Sequence, residues 1–146
     1  MNNLIYPSFI KENDCIGVPA PSAGADCAER INKSLNAKKT LEKLGYKLIL
    51  SENLLKSEKG RSATAKERAK EVNDMFSNKD INMIFCAAGG EFLVEILPYI
   101  DFELIKENPK FIAGFSDPTG LLYPITTKCD IATAVSYTHL TLPTNR

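Results

Sequence analysis

No run of eighteen apolar residues occurs in this 146-residue chain, so no membrane-spanning helix is expected. The N-terminus, Met1-Asn-Asn-Leu-Ile-Tyr-Pro, has no basic segment leading into an apolar one, so no secretory signal is expected either. Net charge is also missing, because eighteen basic side chains balance eighteen acidic ones. That balance points to neither nucleic acid nor an anionic membrane surface as a partner. Cys15, Cys27, Cys86 and Cys129 are scattered without a CxxC pair, a pattern that signals neither a zinc site nor a disulfide framework. No metal or cofactor is implied. The reading that remains is reduced thiols packed as small apolar fillers in a cytoplasmic protein. Histidine is nearly absent, with His139 the single one.

What is present is ordinary for one soluble domain: 44% hydrophobic and 25% charged residues. Short apolar runs alternate with helical patterns. Cys15-Ile-Gly-Val-Pro-Ala reads as a buried strand that ends on the turn cluster Pro21-Ser-Ala-Gly. Asp26 and Glu29 have capping-box spacing ahead of an apolar stripe through Ala28, Ile31, Leu35, Ala37, Leu41 and Leu44, which Gly45 closes. Tyr46-Lys-Leu-Ile-Leu reads as the second strand. Thr64 and Glu67 form a second capping box, and Ala65, Ala69, Val72 and Phe76 give an amphipathic helix. Asn82-Met-Ile-Phe-Cys-Ala-Ala reads as the third strand, followed by a short helix from Glu91 to Leu97 that Pro98 closes. Asp101 caps another short helix ending at Asn108-Pro109. Lys110-Phe-Ile-Ala-Gly-Phe reads as the fourth strand, and Asp117-Pro opens a further helix. Four alternations of strand and helix predict an α/β fold: an open, mainly parallel sheet with flanking helices. Ligands sit at the carboxyl ends of such strands, so the loops after Ala20, Ala88 and Phe115 matter most.

Gly114-Phe-Ser-Asp-Pro-Thr places a serine between an apolar strand and a helix start, the context that a nucleophile elbow needs. Helix-terminal N–H groups beside Ser116 suit an oxyanion. Pro118 stands where the second glycine of Gly-x-Ser-x-Gly would be, and Ser116 or Asp117 also suits a plain helix cap. Ala87-Ala-Gly-Gly-Glu follows a strand, and its glycines allow a backbone N–H to face a site unobstructed. The same residues suit an ordinary tight turn, with Glu91 complementing a helix dipole. Ala20-Pro-Ser-Ala-Gly suits a wall of the same crevice or a simple loop. A serine nucleophile needs a base. His139 falls in Ser136-Tyr-Thr-His-Leu-Thr-Leu-Pro-Thr, which resembles translated sequencing-adapter sequence. The segment 134–146 is therefore read as a non-native tail.

Taken together, Val18-Pro-Ala-Pro-Ser, Glu67-Arg-Ala-Lys-Glu-Val-Asn-Asp-Met-Phe, Gly89-Gly90, Leu97-Pro-Tyr-Ile-Asp, Asn108-Pro-Lys-Phe and Gly114-Phe-Ser-Asp resemble the LD-carboxypeptidase family of serine peptidases. That family includes the microcin C self-immunity proteins. The resemblance runs from about Asp14 to Thr133. It implies that residues 1–133 are the N-terminal nucleophile domain of a two-domain peptidase with a Ser-His-Glu triad. It places the nucleophile at Ser116 and the oxyanion N–H groups at Gly90 and Asp117, with Gly89 and Glu91 beside the substrate. The triad Glu and His would come from a C-terminal domain, so the chain alone is expected to be inactive. Ala88 and Glu91 flank the glycine pair where the murein-cleaving branch has Arg and Tyr, which looks more like the microcin-immunity branch.

The expected substrate is a small peptide, cleaved at a C-terminal amide in a murein peptide or a microcin-like peptide–nucleotide. A homodimer is left open for the full-length protein. A non-enzymatic small-molecule-binding α/β domain is the alternative. A glutamine-amidotransferase relative is disfavoured, since that chemistry wants Cys where Ser116 stands.

Overall fold

A computed structural model of the chain describes residues 4–135. Five strands form one sheet: β1 (Cys15–Val18), β2 (Lys47–Leu50), β3 (Met83–Phe85), β4 (Phe111–Gly114) and β5 (Ala134–Val135). Every pairing is parallel, and the order is β2-β1-β3-β4-β5. The expected α/β class and parallel sheet are therefore present. Four helices connect the strands: α1 (Ala28–Lys43), α2 (Ala65–Ser77), α3 (Phe102–Glu107) and α4 (Thr119–Cys129).

The order of the strands decides where the core sits. The step from β1 to β2 runs opposite to every later step. Right-handed crossovers therefore put α1 on one face and α2, α3 and α4 on the other. The main core fills the second face. Ile84 and Ile112 from the sheet meet Val72 and Phe76 of α2 and Leu121 and Ile125 of α4, all fully buried. Each such side chain stabilises the fold by roughly 1.5–3 kcal/mol relative to exposure.

Helix α2 follows its sequence signals closely. The Thr64 hydroxyl accepts from Glu67 N–H while the Glu67 carboxylate accepts from Thr64 N–H. Ala69, Val72 and Phe76 are buried as the stripe predicts. At α3, Asp101 accepts from Leu104 N–H, again as expected.

Three local expectations do not hold. The Asp26–Glu29 capping box does not form: α1 starts one residue later, with Cys27 as an N-cap that makes no side-chain bond. Asp26 and Glu29 instead form exposed i,i+4 ion pairs with Arg30 and Lys33. The stripe on α1 buries no residue fully, because α1 alone covers its face of the sheet. An apolar gap of about 360 Å³ remains between α1 and the sheet, lined by Leu41, Leu48, Val18 and Phe85 among others. The helix expected from Glu91 to Leu97 is a 3-10 helix over Leu93–Tyr99. It runs through Pro98 and does not close there. Among the thiols, Cys15, Cys86 and Cys129 are buried fillers, but Cys27 is exposed.

The sheet also extends beyond the expected domain end. Ala134 and Val135 pair with Ala113 and Gly114 as β5. The rest of the expected tail, 136–146 with His139, lies outside the described residues. Among the described residues, no helix is long and apolar enough to cross a membrane.

Candidate active site

The loops after β1, β3 and β4 meet at the carboxyl end of the sheet, as the topology requires. Strand β4 ends at Gly114, where a side chain would sit 2.8 Å from Pro118 Cβ and 3.3 Å from Cys86 Cβ. The backbone then turns sharply. Ser116 has φ +64°, a left-handed conformation that costs a non-glycine residue roughly 1–2 kcal/mol. The turn is closed by Thr119, whose N–H and hydroxyl both donate to Ser116 O at 2.9 and 2.6 Å. Gly120 N–H donates to Asp117 O at 2.9 Å. This arrangement leaves Ser116 exposed at the start of α4, near its positive dipole end. Cys86 lies beneath the turn. Burial pushes its thiol up to about 12, so it stays protonated and offers no rival nucleophile.

The glycine pair packs against this turn from the β3 side. A Cβ on Gly89 would lie 3.0 Å from Ser116 Cβ and 3.1 Å from its Oγ. A Cβ on Gly90 would overlap Ser22 Oγ and approach Ala23 N at 3.0 Å. The β1 loop closes the third side, with Ala23 N–H donating to Gly89 O at 3.2 Å. Together these loops line a cavity of about 550 Å³ that holds Ser116, Gly89, Gly90, Ala23 and Gly24. Arg30 and Lys33 of α1 stand at its rim. Among the described residues, no acceptor meets the N–H of Gly90 or of Asp117.

Of the expected site residues, Ser116, Gly89 and Gly90 come together here, and the β1 loop joins them. Asp117 is adjacent in sequence, but its carboxylate turns away from the cavity. It accepts from Ser22 Oγ and, at 2.9 Å, from Leu93 N–H. Glu91 is exposed and does not line the cavity.

Sequence reading missed the buried support of these loops. Arg68 is fully buried on α2. Its guanidinium donates to Ala63 O at 3.0 Å, Pro21 O at 2.8 Å and Phe92 O at 3.0 Å, and pairs with Glu95 at 2.7 Å. Arg61 holds the same carboxylate from outside at 2.8 and 2.5 Å and lies over the Phe92 ring. Glu71 plays a similar part on the other flank, accepting from Ala20 N–H at 3.0 Å and from the Ser51 hydroxyl. The one available signal was Arg68 beside Ala69 on the apolar side of an amphipathic helix.

The Arg61 hydrogen bond, with help from the charges of Arg61 and Arg68, holds the Glu95 carboxyl down to about 2 against an ordinary 4.5. A lowered carboxyl stabilises the folded state above the ordinary value and loses that contribution as pH falls through the lowered one. Glu95→Gln is therefore expected to be less stable than the parent chain at neutral pH. The gap should close as pH drops from about 4.5 to about 2. Urea midpoints across that range check this, and a gap independent of pH would refute it.

Known proteins share this sequence pattern and fold. The family model described as the LD-carboxypeptidase N-terminal domain matches residues 16–136. The microcin C7 self-immunity protein MccF of Escherichia coli is 37% identical over 120 residues, which is 82% of this chain and 35% of MccF. The structure of MccF in complex with aspartyl sulfamoyl adenosine superposes with a TM-score of 0.83 at 34% identity, covering 88% of this chain and 38% of that one. An MccF active-site mutant, with a serine, an asparagine and a lysine each replaced by alanine, matches with TM-score 0.83 at 33% identity over 88% of this chain and 38% of that one. The chain thus spans about a third of the length of the curated relatives it matches, 35% and 36% for the first two.

Proposed function

This chain belongs to the LD-carboxypeptidase family, as the match over residues 16–136 shows, and from that membership we propose that Ser116 is the nucleophile of a serine carboxypeptidase. The observation that carries the proposal is the left-handed backbone of Ser116 at the carboxyl end of β4, with the Gly89-Gly90 loop against its hydroxyl. An active-site serine in MccF supports it.

In this reading Ser116 Oγ attacks the carbonyl carbon of a C-terminal amide. A base takes the hydroxyl proton and later delivers it to the leaving nitrogen. The N–H groups of Gly90 and Asp117, which no acceptor meets among the described residues, hold the oxyanion as it forms. Water then releases the acyl group. In this reading the base and its acidic partner lie in the stretch of the relatives that this chain does not span.

Because the likeness is to MccF, a peptide–nucleotide whose acyl group is joined to an adenosine-like moiety is the first substrate to test. A murein tetrapeptide, cleaved at its terminal D-Ala, is the second. The cytoplasm is where either substrate would be met.

A fluorophosphonate probe added to the full-length protein tests the assignment. Mass spectrometry is expected to place the adduct on Ser116. Labelling that persists in Ser116→Ala would remove Ser116 from the mechanism.

A further inference from the structure

Two charged side chains, fully buried Arg68 and half-buried Asp117, grip neighbouring residues of the same two loops. From the α2 side, Arg68 donates to Pro21 O in the β1 loop and to Phe92 O after the glycine pair. From the elbow, Asp117 accepts from Ser22 Oγ and from Leu93 N–H, the next residue along in each loop. The glycine pair lies within this frame. Its Gly89 O accepts from Ala23 N–H, and Gly90 leaves no space for a Cβ beside Ser22. The Ser22 backbone is held as well, its carbonyl accepting from Ser62 N–H at 3.0 Å.

We propose that Asp117 and Arg68 are positioning residues: a carboxylate and a guanidinium that clamp the β1 loop and the glycine loop from opposite sides and fix the Gly90 N–H against Ser116. The clamp gives Asp117 two separable parts. Its backbone N–H faces the reacting oxygen only if the function proposed above holds, and the inference rests on that reading for its catalytic meaning. Its side chain does not line the cavity and holds the loops whether or not the chemistry is right. The hydrogen-bonding part of the role needs an acceptor that can take two bonds from neutral donors, Ser22 O–H and Leu93 N–H. An Asn oxygen at this position can still accept from both donors, whereas Ala cannot.

Amide hydrogen exchange on the 146-residue chain, read by mass spectrometry of peptides, tests this without any turnover. Asp117→Ala is expected to speed exchange about tenfold in the segments 21–24 and 89–93, the loss expected when a loop's anchoring hydrogen bonds go. Asp117→Asn is expected to stay within about threefold of the parent chain in both segments. Arg68→Lys, which keeps the charge but cannot reach both carbonyls with a planar fork, should speed the same two segments and spare α4. Should Asp117→Ala fail to fold, Ser22→Ala removes one arm alone and is expected to loosen both loops together. The proposal fails if Asn behaves like Ala, if only one loop responds, or if exchange rises uniformly over the core. Fluorophosphonate labelling of the full-length protein supplies the catalytic arm. Labelling slowed by Ser22→Ala and by Arg68→Lys, neither of which supplies an oxyanion N–H, supports positioning, and labelling unchanged in both would overturn it. The expected exchange pattern together with no labelling of the parent protein would sink the nucleophile and leave the clamp standing.

Discussion

In the full-length protein, Ser116→Ala is expected to cut kcat by about 10⁴-fold or more while leaving the thermal midpoint nearly unchanged. The size follows from the role proposed for the hydroxyl. Without it no acyl-enzyme forms, and the base and oxyanion donors have nothing to act on together. Residual acceleration over water, roughly 10³-fold, is what oxyanion contacts and binding give alone. Stability should change little because Ser116 is exposed and its hydroxyl donates no hydrogen bond among the described residues. Turnover of a peptide–nucleotide and of a murein tetrapeptide, measured side by side, separates the two substrate readings. Activity within about tenfold of the parent protein would mean that another group attacks.

Gly24→Ala should be the most damaging single methyl group in the chain. A Cβ there would overlap Lys56 O and lie 3.0 Å from both Asn53 O and Leu54 O. All three are backbone atoms, so no rotamer change relieves the clash. The surrounding turn cannot retreat easily. Ala25 N–H donates to Leu54 O at 2.6 Å, and the Ser51 hydroxyl that caps the turn is held by Glu71. Forcing the two segments apart should cost about 3 kcal/mol or more, a large part of the roughly 5–15 kcal/mol that holds a domain together. Chemical denaturation measures it. A loss below about 0.5 kcal/mol would mean that the β1 loop is far softer than its contacts indicate.

Much of this fold is legible from local pattern. The α2 capping box, the Asp101 cap and the stops at Gly45 and Pro109 each rest on neighbours in sequence, and each appears where its residues put it. The site was half legible. Gly114-Phe-Ser-Asp and Gly89-Gly90 announce their own geometry, because a left-handed serine and a crowded glycine are properties of single positions. The support was not. Arg68 meets Pro21 across forty-seven positions and Phe92 across twenty-four, and nothing in the local pattern carries such distances. An arginine on an amphipathic helix reads as solvated until the loops that bury it are in place. Strand β5 escaped for a different reason: two residues are too few to show a period. The capping box at Asp26 failed because its acids had nearby lysine and arginine partners one turn on.

The left-handed backbone at Ser116 has a consequence for how this position evolves. Glycine would adopt the same turn without the cost of a side chain, so folding alone favours losing the serine there. A copy of the protein released from its chemical task gains roughly 1 kcal/mol by drifting to glycine at 116, and gives up its hydroxyl in the same step. With the role proposed for Ser116, position 116 is a place where the demands of turnover and of folding pull apart.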